Sequence, residues 1–562
     1  MNEFNYAFLN LHSILEMKKH LSILLLCATP LLANAQAAFD ALQMSQNELR
    51  GTSRFQSMAG AFGALGGDIS VLNQNPAGIG VYRSSDISAT IDLNFQSSKV
   101  DGMSNADTQT KFTFNNVGYV GALKLNSDVM PNLNVGFSYT RTKSFHRHYR
   151  GADNNIPSSV TNYIAALTNS GNWSEDDLAF GYDGHPQGAN YDPYYDSNAP
   201  WLSILSYDSY LLNPGTNGFE GITQNGTTGY GEFEVDESGH TDEYSINLGG
   251  NIKNTVYWGL GVGIVDLKYD SYMYYGEALN NAYYYHPDFD ASGNMLYTGR
   301  YTSGEADFGF VNHLATKGTG YNFKFGVIFK PVNEFRIGLA FHTPTYFEMK
   351  DLYKTISSFE MRDSYGTFNG EREAGSEGYW DEYRYNLHTP WRFIGSIAGV
   401  IGQKGILSLD YEWQGANTMR LCDNKNREFI EMTDDIKNYF QPTHTIRVGG
   451  EYRVDNHWSL RAGYSYTTSP VKDDVKNGVL SVTTTGSNTA YQYDRSNQYI
   501  TCGFGYRYKA FSVDMAYIHQ YRQSNYHAFP AVTYEIGGLD AGNFAEVNDH
   551  NNRVSLTLGF RF

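Results

Sequence analysis

The sequence predicts an all-β protein: a 14-stranded antiparallel transmembrane barrel with a small N-terminal hatch in its lumen and long, partly helical external loops. Three observations predict it. Apolar and polar residues alternate with period two, short and long connections alternate along the chain, and the last alternating segment ends on Phe562. In Asp86 to Gln96, Ile87, Ala89, Ile91, Leu93 and Phe95 share one face; Ser88, Thr90, Asp92 and Asn94 share the other. Successive side chains of a strand point to opposite faces, so this segment has one apolar and one polar side. The last segment repeats the pattern, with Val554, Leu556, Leu558 and Phe560 set against Arg553, Ser555 and Thr557.

Twelve further alternating segments lie near 111–125, 133–144, 241–251, 255–275, 318–331, 334–347, 382–402, 404–415, 442–454, 457–467, 496–508 and 510–521. Short turns fall at 126–132, 252–254, 332–333, 403, 455–456 and 509; long connections fall at 98–110, 145–240, 276–317, 348–381, 416–441, 468–495 and 522–550. An even strand count with short turns on one side and long loops on the other is the pattern of an outer-membrane barrel. Tyr139, Trp413, Tyr464, Tyr466, Tyr506 and Tyr508 sit at segment ends, where interfacial aromatic girdles belong. Secreted β-sandwiches also alternate, but their strands run nearer ~5–6 residues. Terminal Phe562 is read as the signal for the barrel-assembly machinery.

Composition agrees. Tyr numbers 45, Phe 33 and Gly 57, while charged residues make only 18%. A net charge of −18 excludes nucleic acid as a partner, since phosphate binding needs a basic surface. From Met17, "MKKHLSILLLCATPLLANAQA" has a basic start, an apolar core and an Ala-Asn-Ala cleavage pattern, which makes 17–35 a signal peptide and 1–16 an upstream start extension. Beyond it no stretch reaches the ~20 apolar residues of a membrane helix. The expected address is the Gram-negative outer membrane, with membrane lipid and lipopolysaccharide as surroundings and a monomer as the working unit. Cys422 and Cys502 suggest neither a disulfide framework nor a metal, and no cofactor is expected.

Residues 36–85 precede the barrel, 86–562. A lumen of fourteen strands is wide, so this Gly-rich stretch is read as a hatch. Gly66 and Gly67 permit tight turns, and Asn75-Pro76 is a turn signal. Met58, Phe62, Leu65 and Leu72 are its candidate ligand-lining residues. Here a resemblance enters. "SRFQSMAGAFGALGGDISVLNQNPAG", with Ser57 to Phe62, Asp68, Asn75, Pro76 and Ala77, resembles the hatch of the outer-membrane long-chain fatty-acid transporters, the FadL/TodX family of hydrophobic-compound channels. "FKPVNEFRIGLAFHTPTYFEM" from Phe329 and "HTIRVGGEYRV" from His444 are also similar to that family. The resemblance implies passive uptake of hydrophobic small molecules, most plainly fatty acids. Ligand would be caught by external loops, held against the hatch and released when the hatch moves or through a gap beside a kinked strand.

Other clusters are weighed against plainer roles. His146 and His148 are two residues apart; a haem site is one reading, and a basic rim facing lipopolysaccharide is the other. Val160, Tyr163, Ile164 and Leu167 have helical spacing inside the 145–240 loop, either as an external capture groove or as a helix packed over the barrel mouth. Arg427 to Phe440 reads as another loop helix. The acidic pairs Asp176/Asp177 and Asp473/Asp474 lack the spacing of a calcium loop. No nucleophile lies beside a base, so no enzyme is expected and no catalytic residue is assigned. Alternatives to transport are a haem receptor or a docking component of a secretion or surface-assembly system on the same fold.

Overall fold

The computed structural model describes residues 38–562 apart from 104–105, 217, 290–294, 376–379, 479, 481, 483, 485, 534–538 and 541–543. The start extension and the signal peptide lie outside the described residues.

Fourteen antiparallel strands close into one barrel. They are β1 (Asp86–Val100), β2 (Asp107–Lys124), β3 (Asn132–Ser144, continued by Arg147–Asp153), β4 (Thr228–Ile252), β5 (Val256–Phe289), β6 (Met295–Val332) and β7 (Phe335–His342, continued by Tyr346–Asp363). Then come β8 (Asp381–His388, continued by Arg392–Ile401), β9 (Gly405–Gln414), β10 (Thr443–Arg453), β11 (Trp458–Thr468), β12 (Tyr491–Tyr508), β13 (Phe511–His527) and β14 (Phe544–Arg561). Each pairs with the next, and β14 closes on β1 from Asp86↔Arg561 to Val100↔Val547. Closure removes the free edge that a bilayer cannot solvate.

The alternation faces as expected. Ile87, Ile91, Leu93 and Phe95 are exposed toward lipid, whereas Ser88, Thr90, Asp92 and Asn94 are buried in the lumen. On β14, Arg553, Ser555 and Thr557 point inward. At the short-turn end, Trp458 packs on Tyr506, and Phe562 stacks on Tyr119 and Phe560. The Phe562 amide also donates to Ser85 O at 2.9 Å, tying the last residue to the start of β1.

One expectation needs correction. The stretches 145–240, 276–317 and 348–381 are not simply loops: β5 and β6 form a hairpin that runs far past the membrane, and β3, β4 and β7 rise with it. The alternation fades there because neither face meets lipid, so polar residues are admitted on both. Against this raised sheet pack α1 (Val160–Ser170) and α2 (Trp201–Asp208), enclosing Val160, Ile164, Leu205, Phe308 and Phe359 in an external apolar core. Glu277 fixes the start of α1: its Oε1 accepts from Val160 N and Tyr275 Oη, both at 2.7 Å. Burial pushes the Glu277 carboxyl up to about 7.

Candidate functional site

The stretch before β1 threads the lumen as two unlike pieces. The lower piece runs from Ser53 to Tyr82. Thr52 caps the turn of helix at Ser53–Ser57, accepting from Phe55 N. Asp68 caps a short turn at Ile69–Asn73, accepting from Ser70 N at 3.0 Å and from Thr52 Oγ1 at 2.8 Å. Asn75 caps the next turn: its Oδ1 accepts from Ala77 N at 3.1 Å, its Nδ2 donates to Gly63 O at 2.6 Å, and Pro76 takes the first position, where no donor is needed. Gly66 adopts φ +64°, and a Cβ there would meet Val81 at 2.7 Å.

This piece lies directly on bare wall. A Cβ on Gly463 would fall 2.4 Å from Met58 C; on Gly338, 2.3 Å from Gly63 O; on Gly326, 1.9 Å from Asn75 Oδ1. Any larger side chain on these strands would push the segment off its seat. Polar bonds add to the contact. Ser53 N donates to Thr557 Oγ1 at 2.7 Å, Gly63 N to Asp410 at 2.9 Å, and Arg54 pairs with Glu451 at 2.9 Å. Met58, Phe62 and Leu65 are buried against Phe55, Tyr499 and Ile518, and Leu72 against Ile79, Tyr82 and Val120. The four residues expected to line a ligand pocket therefore form the segment's own packing and contribute nothing to the lining of the cavity above it.

The upper piece is a helix of eight residues, Ala38–Ser45. Phe39 sits among Tyr439, Phe440, Tyr491 and Tyr493, at ring separations from 4.9 to 6.1 Å. Leu42 and Met44 join the same apolar chamber, walled by Leu267, Phe347, Leu387 and Leu421. Part of its roof is the helix Ile430–Tyr439, which matches the loop helix expected from sequence.

Between the two pieces lies a cavity of about 170 Å³, lined by Leu42, Leu49 and Phe55 and by a larger number of polar residues, among them Glu48, Arg50, Lys143, Arg392, Glu412, Arg447 and Arg522. Polar residues facing a lumen look like ordinary inward positions of barrel strands, so sequence reasoning passed over them. Leu49 precedes the quoted stretch and Phe55 lies within it but outside its matching positions, and neither carries a signal of its own.

Beside this cavity the wall is interrupted. The ladder between β2 and β3 runs from Lys124↔Asn132 to Asn116↔Thr140 and stops. Above it β2 continues to Asp107 paired only with β1, and β3 continues paired only with β4. The top is spanned by charge contacts, Asp107 with Arg150 at 3.8 Å and with His148 at 4.0 Å. Across the middle, Lys111 Nζ lies 3.0 Å from His146 Nδ1. A small cavity lined by Lys111, His146, Ser144, Arg50 and Arg522 lies directly behind.

The two histidines thus take different neighbours. His146 faces Lys111, whereas His148 lies among Asp107, Glu234 and Asp236. Among the described residues no group of three or more His, Cys, Asp or Glu has the arrangement of a metal site. The external helix is where the spacing predicted it, but Val160, Tyr163 and Ile164 face the interior of the external core, with Leu167 packed against it. They present no open groove.

Residues 252–528 match the family model described as "Outer membrane protein transport protein (OMPP1/FadL/TodX)". A FadL homologue from Pseudomonas aeruginosa has a similar solved structure: 12% identity, a TM-score of 0.51, 92% of this chain and 99% of that one covered. At that identity the likeness speaks for the fold alone. The toluene transporter TodX of Pseudomonas putida aligns over 92% of this chain and all of its own, 100%, at 10% identity and a TM-score of 0.42, too low to add to the argument. No curated protein matches the sequence.

Proposed function

The chain belongs to the OMPP1/FadL/TodX family of outer-membrane transport proteins, and from that premise we propose that it is a passive channel for hydrophobic compounds with long acyl tails, released sideways into the bilayer. The single observation that carries this reading is the missing ladder between β2 and β3, next to a cavity whose floor is the glycine-seated segment. Downward passage would have to unseat many close backbone contacts. Sideways passage has to part only side chains.

The apolar chamber above the cavity is the entry site. In this conformation Phe39, Leu42 and Met44 fill it, and the cavity below is smaller than the ~300 Å³ at which small-molecule pockets usually begin. Ligand entry therefore displaces the helix Ala38–Ser45, exchanging one set of apolar contacts for another. The hydrophobic effect supplies the drive, and no energy source is needed for downhill movement. The hatch role of 36–85 then divides: the upper helix yields and the lower piece stays.

Uptake of a fluorescent long-chain fatty acid into cells making the wild type or Ser144→Trp tests the reading. Ser144 lines the small cavity at the gap, and an indole there fills it. Several-fold slower uptake with normal barrel assembly is expected. Wild-type rates in this variant and in Gln109→Trp would sink the sideways route. Toluene as competitor separates an acyl-chain channel from one for small aromatics.

A further inference from the structure

The space behind the gap is not apolar, and its charges do not balance. Of the cations lining the described cavities, Arg50, Arg147, Lys324, Arg392, Arg447 and Arg522 each have a carboxylate partner. Lys111 and Lys143 have none within 4.0 Å among the described residues. Both stand on the strands that flank the gap, Lys111 on β2 and Lys143 on β3. Lys143 is buried, and its Nζ donates only to amide oxygens, Gln43 O and Gln46 Oε1. Lys111 meets only His146. Near the same cavities Asp92 is shared between Arg50 at 3.5 Å and Arg553 at 3.8 Å, and among the described residues the fully buried Arg553 guanidinium has no hydrogen-bond partner. Lys143 is held out of water without an anion, which is costly, and Lys111 stands exposed at the gap with no anion beside it, so the arrangement is poised to gain one.

We propose that the space behind the gap is a head-group site for an amphiphile with an anionic head, held by Lys111 and Lys143 while its tail lies between β2 and β3. This rests on the sideways route proposed above. Outside the gap, Phe112 and Phe114 are exposed on the lipid face, and Phe114 stacks on Tyr139 at 5.7 Å, giving the tail an apolar path. On the way in, the head replaces the Gln43 carbonyl at Lys143 as the N-terminal helix moves. On the way out, Lys111 is the last cation it meets, at the edge of the barrel.

The test compares oleate with oleyl alcohol, probes of equal tail and different head, binding to the purified full-length protein at pH 8. Wild type is expected to prefer oleate by about tenfold, the scale of one charge-assisted hydrogen bond. Lys111→Gln and Lys143→Gln should each lower that preference several-fold, and Lys111→Arg should keep it. Lys404→Gln, on a distant turn, is the control. Heat-modifiable gel mobility checks that each variant is folded, and Lys111→Gln remains informative if Lys143→Gln fails to assemble. In nanodiscs, competition by phosphatidylglycerol would place a membrane lipid in the site, and lack of competition would place the transported acid there; both support it. Equal affinity of the two probes for wild type, or an unchanged preference in the lysine variants, overturns this inference alone. Failure of both probes to bind sinks the transport reading and this inference with it.

Discussion

The barrel wall is interrupted in two places, and they are built differently. Between β2 and β3 the ladder stops at Asn116↔Thr140, and side chains alone cross the opening. Between β7 and β8 it also breaks, at Thr343-Pro344-Thr345 facing Thr389-Pro390-Trp391, because proline has no N–H to give. There the break is repaired. Thr389 N donates to Thr345 O at 3.1 Å and Thr345 N to Thr389 Oγ1 at 2.8 Å; on the β6 side of the same bend, Phe323 N donates to Thr343 Oγ1 at 3.0 Å. Threonines restore backbone hydrogen bonds at the proline break; at the other, among the described residues, only the side-chain contacts named above join β2 to β3. A repaired break bends a wall; an unrepaired one leaves a door.

The intact wall is the reference for both. Ile446 on β10 faces lipid between two continuous ladders, while its neighbour Thr445 faces the cavity. Ile446→Arg should cost roughly 2–4 kcal/mol, the price of a midplane arginine in such barrels, and Thr445→Arg much less. Heat-modifiable mobility under urea reads the difference, and equal losses would contradict the facing. Thr557, another inward position, is the poorer control, because its hydroxyl also anchors the lower piece through Ser53, whereas among the described residues the Thr445 hydroxyl bonds only within the wall, to Thr467.

Next in size is the floor. Gly463→Leu should strain the contact with Met58 by about 1–3 kcal/mol and lift the lower piece. The barrel should still assemble, because its ladders do not involve the segment, while cells become permeable to bulky antibiotics. Unchanged permeability would mean that the segment does not seal the lumen. A smaller effect is expected at the repaired break: Thr389→Val leaves Thr345 N without its acceptor, at about 1 kcal/mol. If fatty-acid uptake then rises as much as it falls in Ser144→Trp, the two interruptions are not different in kind.

The last comparison lies in the external core, which neither interruption reaches. Glu277 holds its proton up to about 7 in the folded protein, above the ordinary 4.5 of the unfolded chain. Between those values the folded state binds more protons, so stability falls as pH rises through that window. Protection of α1 against hydrogen exchange, taken relative to the intrinsic amide rate at each pH, should be greater at pH 5 than at pH 8, and Glu277→Gln should abolish the difference. A pH effect that survives in Glu277→Gln would place its origin elsewhere.

Much of the wall was legible in the sequence, because lipid on one face and a wet lumen on the other impose period two. Ile87 to Phe95 is the plainest case. Where β5 and β6 leave the membrane the constraint ends, and strands there read as loops. The turn at Asn75 was legible because asparagine and proline have local geometry, whereas Asp68 stood out only as a position of the family motif and its capping role was not read. The wall glycines were visible as letters, but their partners, Met58, Gly63 and Asn75, are hundreds of residues away in the chain. The gap was harder still. It is an absence of pairing between segments that are each good strands, and nothing in Asp107 to Asn115 or in Arg141 to Asp153 announces that the two fail to meet. Lys111 and Lys143 look like ordinary lumen residues until the carboxylates around them are counted.

The most direct measurement of the central claim uses a long-chain fatty acid carrying a photoreactive group at its tail. Cross-linking in outer-membrane vesicles, followed by mass spectrometry, locates the tail on its way through. The account predicts adducts within 107–115 and 141–149, on the two edges of the gap. Adducts concentrated within 53–82 and on the short turns, with none at the gap, would show that the ligand passes down through the floor and would contradict it.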